Sequence, residues 1–408
     1  MKTTALLFAS VLACVGIQPA AAQDCAAWFR SDAPKWEEPQ DTRMALFEPD
    51  CYAWRLFIAL NWPADTAAKV ADPNATFGAN APVVWETWRN ANNQAPDTAF
   101  PMDGSDPGEW LDTSAVAQAP NRFDGADTQP LQREALIDFL KKSGGSVELF
   151  DPLSSGRSVN ETRLNKETYE FVRHEELYNI EGQIAKFNAG LEKISFPAMA
   201  KEVKAQWRVI TEADKPRYHW VQAQGAQGMQ IYGLTALHIT TKDLPNWLWA
   251  TFEHVDNKIV HDGDATHPPS EGWLLRSVDR FACPQAPYDC EAIPTGIKLE
   301  GTHWENYRLR GVQIDFFDSM AGATRLANSQ PERTFQTTSS CITCHALASI
   351  NGAGKRIFFF GPQGGPVGLP VGWDEETGLP LGFRDGDGNL QFTQLDFVWS
   401  LFRARSKR

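Results

Sequence analysis

Apolar positions recur at spacings of three and four just after residue 48. Cys51, Trp54, Arg55 and Ile58 fall on one side of a helix, and Leu56, Phe57 and Leu60 widen its apolar face. Glu48-Pro49-Asp50 opens this helix and Pro63 closes it. The same reading predicts a second helix from Thr128 and Pro130 to Gly144, with Leu136, Phe139 and Leu140 inward. It predicts a third from about Asn160 to Asn188, carried by Leu164, Phe171, Val172, Tyr178 and Ile184 and stopped by Gly190. Residues 63–128 are rich in Pro, Asn, Asp and Gly and read as long loops. Beyond about residue 195 the period shortens to two, and strands are expected over 203–210, 231–240, 247–255 and 307–316. Residues 384–389 read as a hairpin turn. The expectation is an α+β fold: helices and long loops over 23–195, then a mostly antiparallel sheet over 196–408. The two regions need not be separate domains.

The first residues follow another logic. Lys2 is a short basic start, residues 5–17 are apolar or small, and Ala20-Ala21-Ala22 offers a small-residue cleavage site. Residues 1–22 therefore read as a cleaved signal peptide, which sends the chain to the periplasm of a Gram-negative bacterium. No later stretch is long and apolar enough to span a bilayer. Cleavage removes Lys2 and Cys14, so the formal charge moves from −13 to −14 and six of seven cysteines remain. The acidic balance excludes a nucleic-acid binder. It favours a partner protein with a basic docking surface.

The cysteines carry the chemistry. Cys341-Ile342-Thr343-Cys344-His345 is a C-x-x-C-H pentapeptide and resembles the haem-attachment motif of c-type cytochromes. Cysteines three apart lie on one side of a helical turn, where two thioethers to one haem are within reach. The next residue, His345, then supplies an imidazole to the iron. Ser339 and Ser340 are candidate caps for that turn. A dithiol redox site would open a helix in a βαβ pattern, which is absent here, and half a zinc site would need a second pair. The resemblance implies one covalent haem c held by Cys341 and Cys344, with His345 as proximal ligand. In the common small cytochromes the motif lies near the N-terminus and a later Met is the second ligand. Residues 346–408 hold neither Met nor His, so that fold is not expected.

A second axial ligand must then come from upstream or be absent. His254 ends the apolar strand 247–254 and is the first candidate; His238, Met320 and Met229 follow. The polar run from His261 to His267 reads as a solvated loop with metal-like composition. Cys283 and Cys290 bracket a short loop and are expected to pair, leaving Cys25 with Cys51. The pairs Trp85/Trp88 and Trp247/Trp249, among 15 Trp, are expected in core and haem-pocket packing. The basic tail Arg403, Arg405, Lys407 and Arg408 reads as a solvated end.

Electron transfer is the default role that the resemblance implies. The alternative is a haem c enzyme, peroxidase- or oxygenase-like or gas-binding, with an open iron face and a proton-moving group such as Glu253. The chain is long for a carrier and leaves room for either.

Overall fold

The computed structural model describes residues 25, 36–112, 122–123, 158–225, 228–257, 293, 297–317, 324–328, 330–332, 339–357, 373–374, 379–380 and 383–408. The expected signal peptide, the helix expected over 128–144, the His261–His267 run, the Cys283–Cys290 pair and Met320 lie outside these residues.

Helix α1, Pro49–Leu60, forms where the periodicity predicts, with Pro at its first position. It is buried along nearly its whole length. A disulfide joins its Cys51 to Cys25. The expected third helix is instead three elements. Val159, Glu161 and Arg163 alternate as a strand (β2, Ser158–Leu164). Then come α2, Lys166–His174, and α3, Ile180–Asn188. Two asparagines set the breaks: the Asn165 side chain accepts from the Thr168 amide at 3.0 Å, and that of Asn179 from the Gly182 amide at 2.7 Å. Glu176, between the helices, is left-handed at φ 54°. Gly190, at φ 73°, ends α3 as expected.

The core element is one antiparallel sheet of seven strands. In chain order they are β1 (Arg89–Asn90), β2, β3 (Lys201–Val209), β4 (Trp220–Gly225), β5 (Gly228–Thr241), β6 (Leu248–His254) and β7 (Tyr307–Gln313). Their spatial order is β1-β2-β3-β5-β6-β7, with β4 paired to the first half of β5. Strands from both sides of residue 195 thus hydrogen-bond in one sheet. Two register shifts decide which residues share a face. Thr235 is the extra residue on β5, and Arg310 on β7.

One face is apolar and aromatic: Val203, Trp207, Leu237, Ile239, Leu248, Ala250, Phe252 and Leu309. It packs on α1, with Phe57 stacked on Phe252 at 4.3 Å and Trp54 edge-on at 5.0 Å. The same face holds a fully buried ion cluster. Arg122 meets Glu86 at 2.7 Å and Glu161 at 2.8 Å; Arg163 meets Glu161 at 2.7 Å and Asp97 at 2.5 Å. The other face carries Glu202, Lys204, Gln206, His238, Thr240, Trp249, Thr251, Glu253 and Gln313. That polar face receives the segment around Cys341. Among the described residues no helix is long and apolar enough to cross a membrane.

Candidate haem-attachment site

The motif begins α4, Cys341–Ala346, a helix of under two turns. Ser340 caps it: its hydroxyl accepts from the Thr343 amide at 3.4 Å and meets the Thr343 hydroxyl at 2.9 Å. Gln313, the last residue of β7, fixes this start. Its carboxamide accepts from the Ile342 amide at 3.1 Å and donates to the Ser340 hydroxyl at 2.9 Å and to the Thr324 hydroxyl at 2.7 Å. Ile342, Thr343 and Ala346 are buried against the protein. Cys341, Cys344 and His345 are the residues of α4 left partly exposed, so the helix turns one side, bearing two thiols and an imidazole, away from its packed side.

The C-terminal segment holds α4 from beyond. The Trp399 indole donates to the Cys344 carbonyl at 3.0 Å, and the Gln394 side chain to the Ala346 carbonyl at 2.8 Å. A short pair, β8 (Ser349–Ile350) with β9 (Thr393–Gln394), ties the segments together. The turn after β9 passes through two consecutive left-handed residues, Asp396 (φ 44°) and Phe397 (φ 69°). Asp396 is pinned by the Lys242 ammonium at 2.6 Å and the Phe196 amide at 2.7 Å. The result presents the Phe397 carbonyl to His345 Nδ1 at 2.7 Å. A carbonyl only accepts, so Nδ1 carries the proton and Nε2 keeps its lone pair. The His345 ring packs on Trp249 with centroids 4.5 Å apart. Burial pushes its pKa down to about 4, so the imidazole is neutral near pH 7.

Cys341 and Cys344 form no disulfide. Burial and the nearby Glu332 carboxylate push the Cys341 thiol well up and the Cys344 thiol up to about 12. Thiols so protonated are poor nucleophiles, which counts against a dithiol redox centre. Two unpaired thiols and a neutral imidazole with a free Nε2, turned to one side of one helix, fit the donor set that covalent haem requires.

The upstream candidates separate cleanly. The Asp256 amide donates to His254 Nδ1 at 3.1 Å, so Nε2 bears the proton and donates to the Arg217 carbonyl at 2.9 Å. The Tyr218 ring covers it at 3.7 Å. No lone pair remains, and His254 projects from the opposite face of β6 to Trp249, about 17 Å along the strand. This geometry speaks against His254 as an iron ligand. Met229 is exposed at the start of β5. His238, by contrast, lies on the face that carries Trp249 and the motif. Three further residues of the site, Glu332, Gln313 and the Phe397 carbonyl, have no local sequence signal; only tertiary contacts bring them to α4.

The remaining expectations divide. Trp85 and Trp247 are core residues, while Trp249 is the one against the motif histidine. The basic tail, expected as a free solvated end, is instead tied down along its backbone, with the Lys407 amide on Glu181 at 3.0 Å and the Arg408 amide on the Asp103 carbonyl at 3.1 Å, while the Lys407 side chain stays exposed beside Glu176. Comparison with protein families, curated proteins and solved structures finds no match for the chain.

Proposed function

We propose that this chain is an exported, periplasmic monohaem c-type cytochrome that acts in electron transfer. The observation that carries the reading is α4: its partly exposed residues are Cys341, Cys344 and His345, and the Phe397 carbonyl leaves His345 with Nε2 as its donor atom. Bound haem supplies an iron that cycles between ferric and ferrous states. The chain's own residues hold and tune it. Cys341 and Cys344 anchor it, His345 is the proximal donor, Trp249 fixes the imidazole plane, and the Phe397 carbonyl raises imidazole basicity through Nδ1–H. The acidic net charge supports a soluble redox partner with a basic docking surface.

The test is expression with the haem-attachment machinery followed by the pyridine haemochrome spectrum of denatured protein. One haem per chain with thioether-type bands is expected, together with its loss in a Cys341→Ser/Cys344→Ser double variant. Protein that matures without haem bands overturns the reading. Carbon monoxide then sorts the role: a reduced spectrum that it does not shift fits a carrier, and one that it shifts fits a haem enzyme or gas binder.

A further inference from the structure

On the haem reading above, we infer that His238 is the second axial ligand, the donor that faces His345 across the haem. The first argument is position. The extra residue Thr235 resets the alternation of β5, so His238 pairs with Thr251 and stands diagonal to Trp249 on the polar face of the sheet. Trp249 is the residue on which the His345 ring rests.

The second argument is exclusion among the described histidines. His219 lies 3.1 Å from Glu86 in the ion cluster on the apolar face. His303 stacks on His219 and lies tilted against Trp304 on that same side. His254 has both nitrogens engaged. His174 is exposed on α2, beside Glu170.

The third argument is an unmet bond. His238 is 12% exposed at its side chain, and its Nε2 is shielded from solvent and makes no hydrogen bond. The nearest carboxylate, Glu332, is 3.7 Å away, too far to serve. A buried nitrogen without a partner is costly in a native protein, and a bond to a ligand is one way to recover that cost. Glu332, the carboxylate beside His238, also raises both motif thiols. Glu332 itself accepts from the Asn328 amide at 2.8 Å.

The test reads the iron, not turnover. Low-temperature EPR and the reduced absorption spectrum of the wild-type holoprotein should show a low-spin, bis-imidazole iron that does not bind carbon monoxide. His238→Ala should keep its haem by pyridine haemochrome but lose the low-spin signature and bind carbon monoxide, and added imidazole should restore the low-spin spectrum. His238→Met, which keeps a donor at the position, should stay low-spin with a raised reduction potential. A high-spin wild type, or a His238→Ala spectrum identical to wild type, overturns the inference while leaving haem attachment intact. Wild-type protein without haem overturns the parent reading as well, and the haemochrome assay tells the two failures apart.

Discussion

His345 Nδ1 lies 2.7 Å from the carbonyl oxygen of Phe397, a residue 52 positions later in the chain. That contact depends on a backbone that enters the left-handed region at both Asp396 and Phe397. Each such non-glycine residue costs of order 1–3 kcal/mol unless its surroundings impose it. Here the buried Asp396 carboxylate imposes it, tied to Lys242 and to the Phe196 amide. The strain is therefore located where a donor imidazole is oriented.

Asp396→Ala removes both ties and lets the turn relax. The Nδ1–H bond then lengthens, the imidazole becomes a weaker donor, and the reduction potential of the holoprotein should rise. Potentiometric titration measures this. A variant that folds, carries haem and keeps the wild-type potential would show that the turn is not what tunes His345.

Glu202 gives a pH signature away from the iron. Burial raises its pKa to about 7 from an ordinary 4.5, against a hydrogen bond from the Ser400 hydroxyl. The folded state therefore holds a proton that the unfolded state releases between pH 4.5 and 7. Stability must fall as pH rises through that window, by about 3 kcal/mol from this one group. Glu202→Gln cannot titrate. Its stability relative to wild type should climb by that amount from pH 4.5 to 7 and stay level above. Urea unfolding at a series of pH values, read as the difference between the two proteins, isolates the term from the histidines. A flat difference is the contrary result.

How far the sequence carries the structure follows from which forces are local. The strands over 201–209, 228–241, 248–254 and 307–313 are legible because their apolar positions recur mainly on one face at period two, even where, as in 248–254, both faces are buried. The stretch from about 160 to 188 reads as one helix in sequence, and the structure divides it. Its apolar spacing over Leu164, Phe171 and Tyr178 survives a strand-to-helix change, while the breaks lie in Asn165 and Asn179, whose capping role shows only once the backbone is known. The Cys25–Cys51 pair was reached by assigning the other four cysteines first. At the site, the pentapeptide was visible because its chemistry is contiguous. Gln313, Glu332 and the Phe397 carbonyl were not, because they reach α4 from 28, 9 and 56 residues away from its first cysteine. His254 outranked His238 in sequence because it ends the more apolar strand. The bulge at Thr235, which turns His238 to the motif face, leaves no periodic trace.

The Cys25–Cys51 disulfide closes a separation of 26 residues and pins the chain before α1 to the helix. Loop-closure entropy alone predicts that a Cys25→Ser/Cys51→Ser variant loses about 3 kcal/mol. Chemical denaturation of oxidised wild type against the variant measures the loss. Peptide mapping without reduction should recover Cys25 joined to Cys51; a link from either to Cys283 or Cys290 would contradict the pairing.

The ion cluster on the apolar face makes the sharpest stability prediction. Glu161 accepts from Arg122, from Arg163 and from the Trp207 indole at 3.0 Å, with every side chain sealed from solvent. Three carboxylates, Glu86, Asp97 and Glu161, face two guanidiniums, with His219 against Glu86. Replacing Glu161 by Met takes one of two carboxylate partners from each buried guanidinium, leaving Arg122 with Glu86 and Arg163 with Asp97, and should cost about 3–5 kcal/mol. Replacing Arg122 by Met takes one cation from both Glu161 and Glu86, leaving Glu161 with Arg163 and Glu86 with His219, and should cost a similar amount. The double variant leaves Arg163 with Asp97 and His219 with Glu86, so the remaining charges still have partners. It should therefore be more stable than the sum of the singles predicts, by up to about 3 kcal/mol. A double-mutant cycle in urea measures the coupling. Strict additivity would mean that the Arg122–Glu161 contact contributes nothing beyond packing, and that Glu86 and Arg163 alone hold the cluster.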